Sequence, residues 1–279
     1  MKTSSETYLL TVLAMLAFAG NSLLCRVALR ETSIDAASFT LVRLATGSLA
    51  LWLMVGLPRG GTQIGGNWRS ASALFIYAAG FSFAYVSLPA GIGALLLFGA
   101  VQATMIGYGL YAGERLGRWQ TVGLLLALAG LLVLLLPGFA APPFLGCVLM
   151  LAAGVGWGVY SLLGKGSNNP ASDTMGNFVR ALPMAATLSA ATLAFSPLDA
   201  LGVVYASLSG ALASAVGYVI WYTALKHLET TTAAIVQLSV PVLAALGGVV
   251  FLGESITLRL FAASTAILSG IALVVLCKS

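Results

Sequence analysis

Charged residues are scarce in this chain. Only 8% of its 279 residues are Asp, Glu, Lys or Arg, whereas 59% are hydrophobic. Because a soluble domain usually carries about a quarter charged residues, this composition excludes a soluble globular protein. Apolar runs of about 17 to 25 residues, each long enough to cross a bilayer, recur from Tyr8 to Cys277. We therefore interpret the chain as an integral membrane protein and expect the lipid bilayer as its surroundings.

The residues that usually carry catalytic or metal chemistry are also few. The single histidine, His227, lies in a predicted loop, and every Asp and Glu lies in a tail, in a loop or near the end of an apolar run. This pattern argues against an intramembrane enzyme, a buried carboxylate proton relay and a carboxylate site for cationic drugs. We predict no metal and no cofactor. The three cysteines are interpreted as packing residues: Cys25, Cys147 and Cys277.

The net charge of +5 is not gathered into a basic patch. Lys and Arg stand singly between apolar runs, so they predict membrane topology and no nucleic-acid partner. If the N-terminus is cytoplasmic, eight of these residues flank spans on the inner side and three on the outer side. We expect both termini on the cytoplasmic side.

The apolar runs predict ten membrane-spanning helices, because a backbone exposed to lipid must satisfy its own hydrogen bonds. Two Gly-Glu pairs divide this pattern: Glu114 in "LYAGERLG" and Glu254 in "VFLGESIT" stand 140 positions apart. A shift of 137 likewise aligns Arg43 in "FTLVRLA" with Arg180 in "GNFVRAL". The ten predicted spans are approximately 7–29, 35–57, 70–88, 90–112, 119–137, 143–164, 173–195, 199–225, 230–252 and 259–277.

The alignment predicts one five-helix unit that occurs twice. Since five is odd, the second copy enters the membrane from the opposite side, which gives the inverted repeat common among secondary transporters. We predict an all-α integral membrane fold of ten transmembrane helices, with one repeat at 1–140 and its inverted copy at 141–279. The two repeats form one membrane domain, and we expect it to function as a monomer.

Ten short spans in two inverted halves, each with a Gly-Glu after its fourth helix and an Arg in its second, resemble the EamA-type branch of the drug/metabolite transporter superfamily. Within that branch the chain is most similar to the YddG-type exporters of aromatic amino acids, with Trp157 at a matching position of the sixth helix. Pro241 matches a frequent proline of the family, but the first half has Val101 there. The resemblance implies a metabolite or drug exporter of the bacterial inner membrane, with a central cavity between the two halves.

Polar and aromatic residues well inside the spans are the candidates for such a cavity. Tyr77 and Phe81 are four residues apart on one helix face, and Trp157 lies among glycines that permit close helix approach. For each residue the alternative is a structural role, either in packing or in a hydrogen bond between helices. The candidate set is Trp157, Tyr160, Asn21, Tyr77, Phe81, Phe98, Gln102, Tyr218, Trp221 and Gln237.

Two arginines lie inside spans, where a charge needs a partner or a path to water. The inverted topology places Arg43 and Glu254 toward the outer side, and Arg180 and Glu114 toward the inner side. We therefore predict that each Arg pairs with the Glu of the opposite repeat, as a gate or as a structural tie. The alternative is that the arginines bind an anion.

These observations predict a secondary transporter that exports aromatic or neutral amino acids, or related small metabolites, by alternating access. The preference for aromatic amino acids rests on the resemblance. One alternative is a carrier of anionic metabolites or nucleotide-linked sugars that uses Arg43 and Arg180 as its anion site. A multidrug exporter is a further alternative.

Overall fold

The computed structural model describes residues 5–57, 64–113, 117–135, 141–164, 167, 169–192, 199–225, 227–228, 236–237 and 239–276. Across these ranges the chain is helical and has no β-strand, so the all-α prediction is confirmed. The helices are α1 Ser5–Glu31, α2 Ala36–Leu51, α3 Trp68–Tyr85, α4 Ala90–Tyr111, α5 Arg118–Leu135, α6 Phe144–Gly164, α7 Pro170–Thr192, α8 Ala200–Leu208, α9 Gly217–Leu225, α10 Ser239–Leu252 and α11 Leu258–Leu276.

Two π-helical segments interrupt the α-helical pattern. The segment π1, Trp52–Gly56, continues α2, and the segment π2, Ser209–Val216, joins α8 to α9. Five helical stretches are long and apolar enough to cross a membrane: α1, α2 with π1, α4, α6, and the continuous rod from α8 to α9. The helices α5, α10 and α11 are apolar but shorter. The membrane-protein prediction is confirmed in this form, while the count of ten spans stays a prediction.

Loop carboxylates and amides begin several of these helices. Asp35 accepts hydrogen bonds from the backbone N–H groups of Ala37 and Ser38, at 2.8 and 2.9 Å, where α2 starts. Asn67 caps α3 and Asp199 caps α8 in the same way. Side-chain oxygens at these positions satisfy N–H groups that lack an intrahelical partner. Two of the acids that the sequence places at span ends therefore serve to start helices.

The glycines of the two Gly-Glu pairs follow the ends of helices α4 and α10. Gly113 has a φ of 95° and Gly253 a φ of 61°. Both values lie in the left-handed region, where glycine ends a helix without the steric penalty of a Cβ atom. The residues that the 140-position shift aligns thus share one local conformation.

The helices pack around a common interior. Helix α6 packs against α3 and α4, helix α2 packs against α7 and π2, and helix α1 contacts π2, α9 and α10. Helices α5 and α11 pack mainly against each other and touch the remainder through α4. The interior therefore lies among α1, α3, α4, α6 and the rod that contains π2. Cys25 and Cys147 are buried and unpaired in it, as predicted, and Cys277 lies outside the described residues.

Two glycines allow α2 and π2 to approach closely. A Cβ atom on Gly210 would overlap the backbone oxygen of Arg43, and one on Gly47 would lie 3.1 Å from the backbone oxygen of Gly210. No side chain fits between these two backbones. The crossing also fixes the height of Arg43 relative to π2.

We predict that Gly210→Ala destabilises the protein by about 1–3 kcal/mol, the usual cost of overpacking. Gly20→Ala in α1 is the matched control, since a Cβ there meets no atom of the described residues within 4 Å. The control is expected to be neutral or stabilising, because alanine favours a helix interior. Thermal unfolding in detergent measures both, and equal midpoints for the two variants would contradict the close crossing.

Candidate functional site

A small cavity of about 20 Å³ lies where the central helices meet. Helices α1, α3, α4, α6 and α9 all contribute to its wall. Because a single water needs about 10–15 Å³ measured this way, the cavity is much smaller than an amino acid. Any larger ligand requires the helices to move apart. Its lining residues are Phe18, Asn21, Ser22, Tyr77, Phe81, Leu97, Phe98, Trp157 and Tyr218.

Aromatic rings form most of this wall, with Trp157 at their centre. The Trp157 ring lies 4.9 Å from the rings of Tyr77 and Tyr218 and 6.2 Å from that of Phe18, measured between centroids. The rings are tilted or edge-to-face, the arrangements that aromatic pairs prefer. We call Phe18, Tyr77, Trp157 and Tyr218 the aromatic cluster. It brings α1, α3, α6 and α9 together.

A chain of hydrogen bonds supports the polar side of the cavity. Asn21 Nδ2 donates to the Tyr77 hydroxyl at 3.2 Å, and Asn21 Oδ1 accepts from Ser209 Oγ at 2.6 Å. Arg43 Nη2 also donates to the Tyr77 hydroxyl, at 2.9 Å, and Arg43 Nε donates to Ser214 Oγ at 3.1 Å. All five side chains are buried.

The π2 segment places the two serines of this network. Hydrogen bonds in a π-helix join residues five apart, so Ser209 and Ser214 lie on nearly the same face. In a regular α-helix residues five apart point in different directions. The wider turn therefore lets one segment contact Asn21 on α1 and Arg43 on α2.

Two donors in this region have no hydrogen-bond partner among the described residues: Arg43 Nη1 and the Tyr218 hydroxyl. Arg43 is 1% exposed, and its guanidinium lies 5.1 Å from the Tyr77 ring centroid and 5.0 Å from that of Phe81. Ring faces attract a cation but do not neutralise it. A buried positive charge with one open N–H thus lies behind Tyr77 and Phe81 of the cavity wall.

The predicted pair of Arg43 and Glu254 is not formed in this structure. Glu254 Oε1 instead accepts from Arg26 Nε at 3.2 Å, and its Oε2 accepts from the backbone N–H of Ala90 at 2.8 Å. Ala90 begins α4, where backbone N–H groups lack helical partners and the helix dipole favours a carboxylate. This position after α10 keeps Glu254 at a helix end, whereas Arg43 lies within α2.

Arg26 completes this contact at the end of α3. Its Nη1 donates to the backbone oxygens of Tyr85 and Val86, at 2.8 and 3.0 Å. We call the contacts among Arg26, Glu254, Ala90 and Tyr85 the Arg26–Glu254 tie. It links α1, the C-terminus of α3, the N-terminus of α4 and the segment after α10.

The second predicted ion pair cannot be compared, since Glu114 lies outside the described residues. Its partner Arg180 donates from Nη1 to the backbone oxygens of Gly65, at 2.6 Å, and Gly176, at 3.0 Å. Asn177 and Asp173 on α7 accept further bonds from the segment before α3. Arg180 therefore holds the segment before α3 against α7.

The remaining predicted residues divide into two groups. Phe98 lines the central cavity, Trp221 packs 6.0 Å from the Phe18 ring, and Tyr160 packs 5.6 Å from Trp157. Gln102 instead lines a separate apolar groove of about 330 Å³ between α4, α5, α6 and α11. Gln237 is buried but lines neither cavity. A role of Gln102 and Gln237 in the substrate site therefore stays a prediction.

Sequence reasoning missed Phe18, Ser209, Ser214 and Phe178, whose ring lies 5.9 Å from that of Tyr218. A signal existed for Phe18, because it lies three residues before Asn21 and hence on the same helix face. The serines gave no such signal, since their positions depend on the π-helical turn.

Comparison with known proteins agrees with a transport role. Residues 144–276 match the model of the EamA-like transporter family. An uncharacterised protein of Pseudomonas aeruginosa is 57% identical over 270 residues, which cover 96% of this chain and 94% of that protein. The threonine/homoserine exporter RhtA of Escherichia coli is 35% identical over 118 residues, which cover 40% of this chain and 39% of RhtA.

Two further likenesses extend over more of the chain. A probable amino-acid metabolite efflux pump of Escherichia coli is 27% identical over 220 residues, which cover 71% of this chain and 73% of the pump. A solved crystal structure superposes with a TM-score of 0.65 and 21% identity, covering 97% of this chain and 96% of its own. The likeness to the crystal structure concerns the fold alone.

We predict that Glu254→Gln destabilises the protein by at least about 1 kcal/mol, because it leaves the part-buried Arg26 without its counter-charge. Glu31→Gln is the matched control, since the Arg30–Glu31 pair has side chains 42% and 53% exposed. Exposed pairs contribute little. Thermal unfolding in detergent checks both variants, and a shift for Glu31→Gln as large as that for Glu254→Gln would contradict the tie.

Proposed function

Because this chain belongs to the EamA-like transporter family, we propose that it is an inner-membrane exporter of aromatic or neutral amino acids, or closely related metabolites, and that it works by alternating access. The observation that carries this proposal is the central cavity, which five helices line with aromatic rings and a hydrogen-bonded Asn21 and Tyr77. Ligand sites of this kind combine apolar walls with a few polar groups that fix orientation.

The proposed architecture is ten spans in two inverted repeats, 1–140 and 141–279, with both termini in the cytoplasm. The equivalent left-handed glycines, Gly113 and Gly253, support the repeat because each ends a helix in the same way. Since one chain supplies every residue of the cavity wall, we propose that a monomer is sufficient for transport.

Alternating access requires the central helices to separate, because about 20 Å³ does not admit an amino acid. We propose the Arg26–Glu254 tie as the gate at the outer side. It holds α1, α3 and α4 together beside the segment after α10. When it opens, the partners lose charge-assisted hydrogen bonds but gain water, so the cost is small enough for a transport cycle.

The substrate class is supported by what the cavity wall contains and by the relatives. The aromatic cluster provides flat apolar surface for rings or aliphatic side chains. RhtA is named for threonine and homoserine, and the other Escherichia coli relative for amino-acid metabolites. These names favour amino acids, while the four rings favour aromatic ones. A multidrug exporter of cations has less support, since no acid is among the lining residues.

We predict that purified protein in liposomes exchanges labelled tryptophan or phenylalanine, and that Trp157→Ala reduces the initial rate at least tenfold. Removing the Trp157 ring deletes the apolar surface that the side chain of a bound amino acid would contact. Trp119→Ala is the matched control, because Trp119 is 65% exposed on α5, away from the cavity, and its rate is expected to stay within twofold of the wild type.

Labelled threonine is measured in the same vesicles to compare substrates. Exchange of threonine alone would contradict the aromatic preference. No exchange of any of the three amino acids by protein that is folded and correctly inserted would contradict amino acid transport altogether.

A further inference from the structure

We propose that this site recognises its substrate by the carboxylate group, which the hydroxyls of Tyr77 and Tyr218 bind in front of the buried Arg43 charge. The inference rests on the proposed function, because it takes the central cavity as the substrate site. It assigns the chemical class of the substrate as a monocarboxylate with an aromatic or apolar body. No carboxylate that could pair with the α-ammonium is among the lining residues.

The first step concerns the charge of Arg43. The two ion pairs between described residues are Arg26–Glu254 and Arg30–Glu31, and neither includes Arg43. Its contacts are with neutral groups, the hydroxyls of Tyr77 and Ser214 and two ring faces. A buried charge without a counter-charge is costly, so a ligand that brings a negative charge lowers that cost.

The second step concerns the direction of the hydroxyl groups. The Tyr77 oxygen already accepts two hydrogen bonds, from Asn21 Nδ2 and Arg43 Nη2. This hydroxyl can therefore form one further hydrogen bond, in which its O–H is the donor. Bonding to a cation strengthens it as a donor. Tyr218 also lines the cavity, and its hydroxyl lies near that of Tyr77 without a hydrogen bond of normal geometry to the described residues.

The third step is a count of acceptors on the same wall. The side-chain acceptors besides the tyrosines are the Asn21 amide oxygen, which accepts from Ser209 on π2, and the Ser22 hydroxyl, and both are neutral. The polar side of the cavity therefore offers two phenolic donors, an open guanidinium N–H behind them, and no carboxylate among its lining residues. A wall of donors with a positive charge behind it fits a carboxylate and disfavours an ammonium group.

An amino acid also carries an ammonium group, and this wall offers it aromatic faces and the neutral oxygens of Asn21 and Ser22 but no carboxylate. Such faces attract cations by about 0.5–2 kcal/mol, less than a hydrogen-bonded charge pair. The ammonium group therefore contributes little to affinity. It follows that a deaminated analogue binds, whereas a decarboxylated one does not.

Three probes that share the phenyl ring test this inference on detergent-purified protein: phenylalanine, 3-phenylpropanoate and 2-phenylethylamine. Isothermal titration calorimetry is expected to give dissociation constants within tenfold of each other for the first two. Binding of the amine is expected to be at least a hundredfold weaker. Amine binding as tight as that of phenylalanine, or no binding of the propanoate, would overturn the proposal.

Substitutions locate the interaction. Tyr218→Phe removes one free hydroxyl and keeps the ring, and it is expected to weaken 3-phenylpropanoate at least fivefold. Arg43→Gln is expected to weaken it at least tenfold, and Arg43→Lys to restore part of the loss. Tyr108→Phe is the control with unchanged affinity, since Tyr108 is 56% exposed on α4 and does not line the cavity.

Thermal unfolding confirms that each variant is folded before its affinity is compared. If Arg43→Gln does not fold, the comparison of Tyr218→Phe with Tyr108→Phe tests the proposal alone. Equal affinities for that pair would overturn the proposal. Carboxylate-selective binding without amino acid exchange in liposomes would contradict the proposed function and leave this inference standing. If the protein transports phenylalanine but binds 2-phenylethylamine as tightly as phenylalanine, the proposed function stands and this inference is overturned.

Discussion

The buried guanidinium of Arg43 is the constraint on which the centre of this molecule depends. It is 1% exposed and donates to Tyr77 and Ser214, while its Nη1 has no partner within the described ranges. Proteins seldom retain an incompletely compensated charge in an apolar interior unless it has a use. Here the use that the surrounding groups support is to place positive potential and directed hydroxyl donors at one side of an aromatic cavity.

Backbone geometry makes this arrangement available. The glycine crossing of α2 and π2 brings Arg43 next to the rod, and the π-helical turn lets Ser214 reach Arg43 while Ser209 reaches Asn21. The tight interior leaves a cavity of about 20 Å³, the size of a water molecule. A substrate can therefore enter only when the helices separate. A tie at helix ends, such as that between Arg26 and Glu254, suits this requirement because it can exchange its partners for water.

The sequence predicted the all-helical membrane fold because apolar length and scarce charge are properties of local composition. It also singled out Trp157, Tyr77 and Asn21, which line the small central cavity, since polar and aromatic residues inside spans are conspicuous. The structure departs from the expected contacts where these depend on helix rotation and depth: Glu254 contacts Arg26, and Gln102 lines a lateral groove. The π-helical turn that places the two serines has no marker in the residue pattern.

The most direct measurement of the central claim is an experimental structure of the protein with bound 3-phenylpropanoate. The account predicts the phenyl ring beside Trp157 and the carboxylate within hydrogen-bond distance of the Tyr77 and Tyr218 hydroxyls, in a cavity larger than the present 20 Å³. Density for the ligand in the groove lined by Gln102, or with its carboxylate turned away from Arg43, would contradict it.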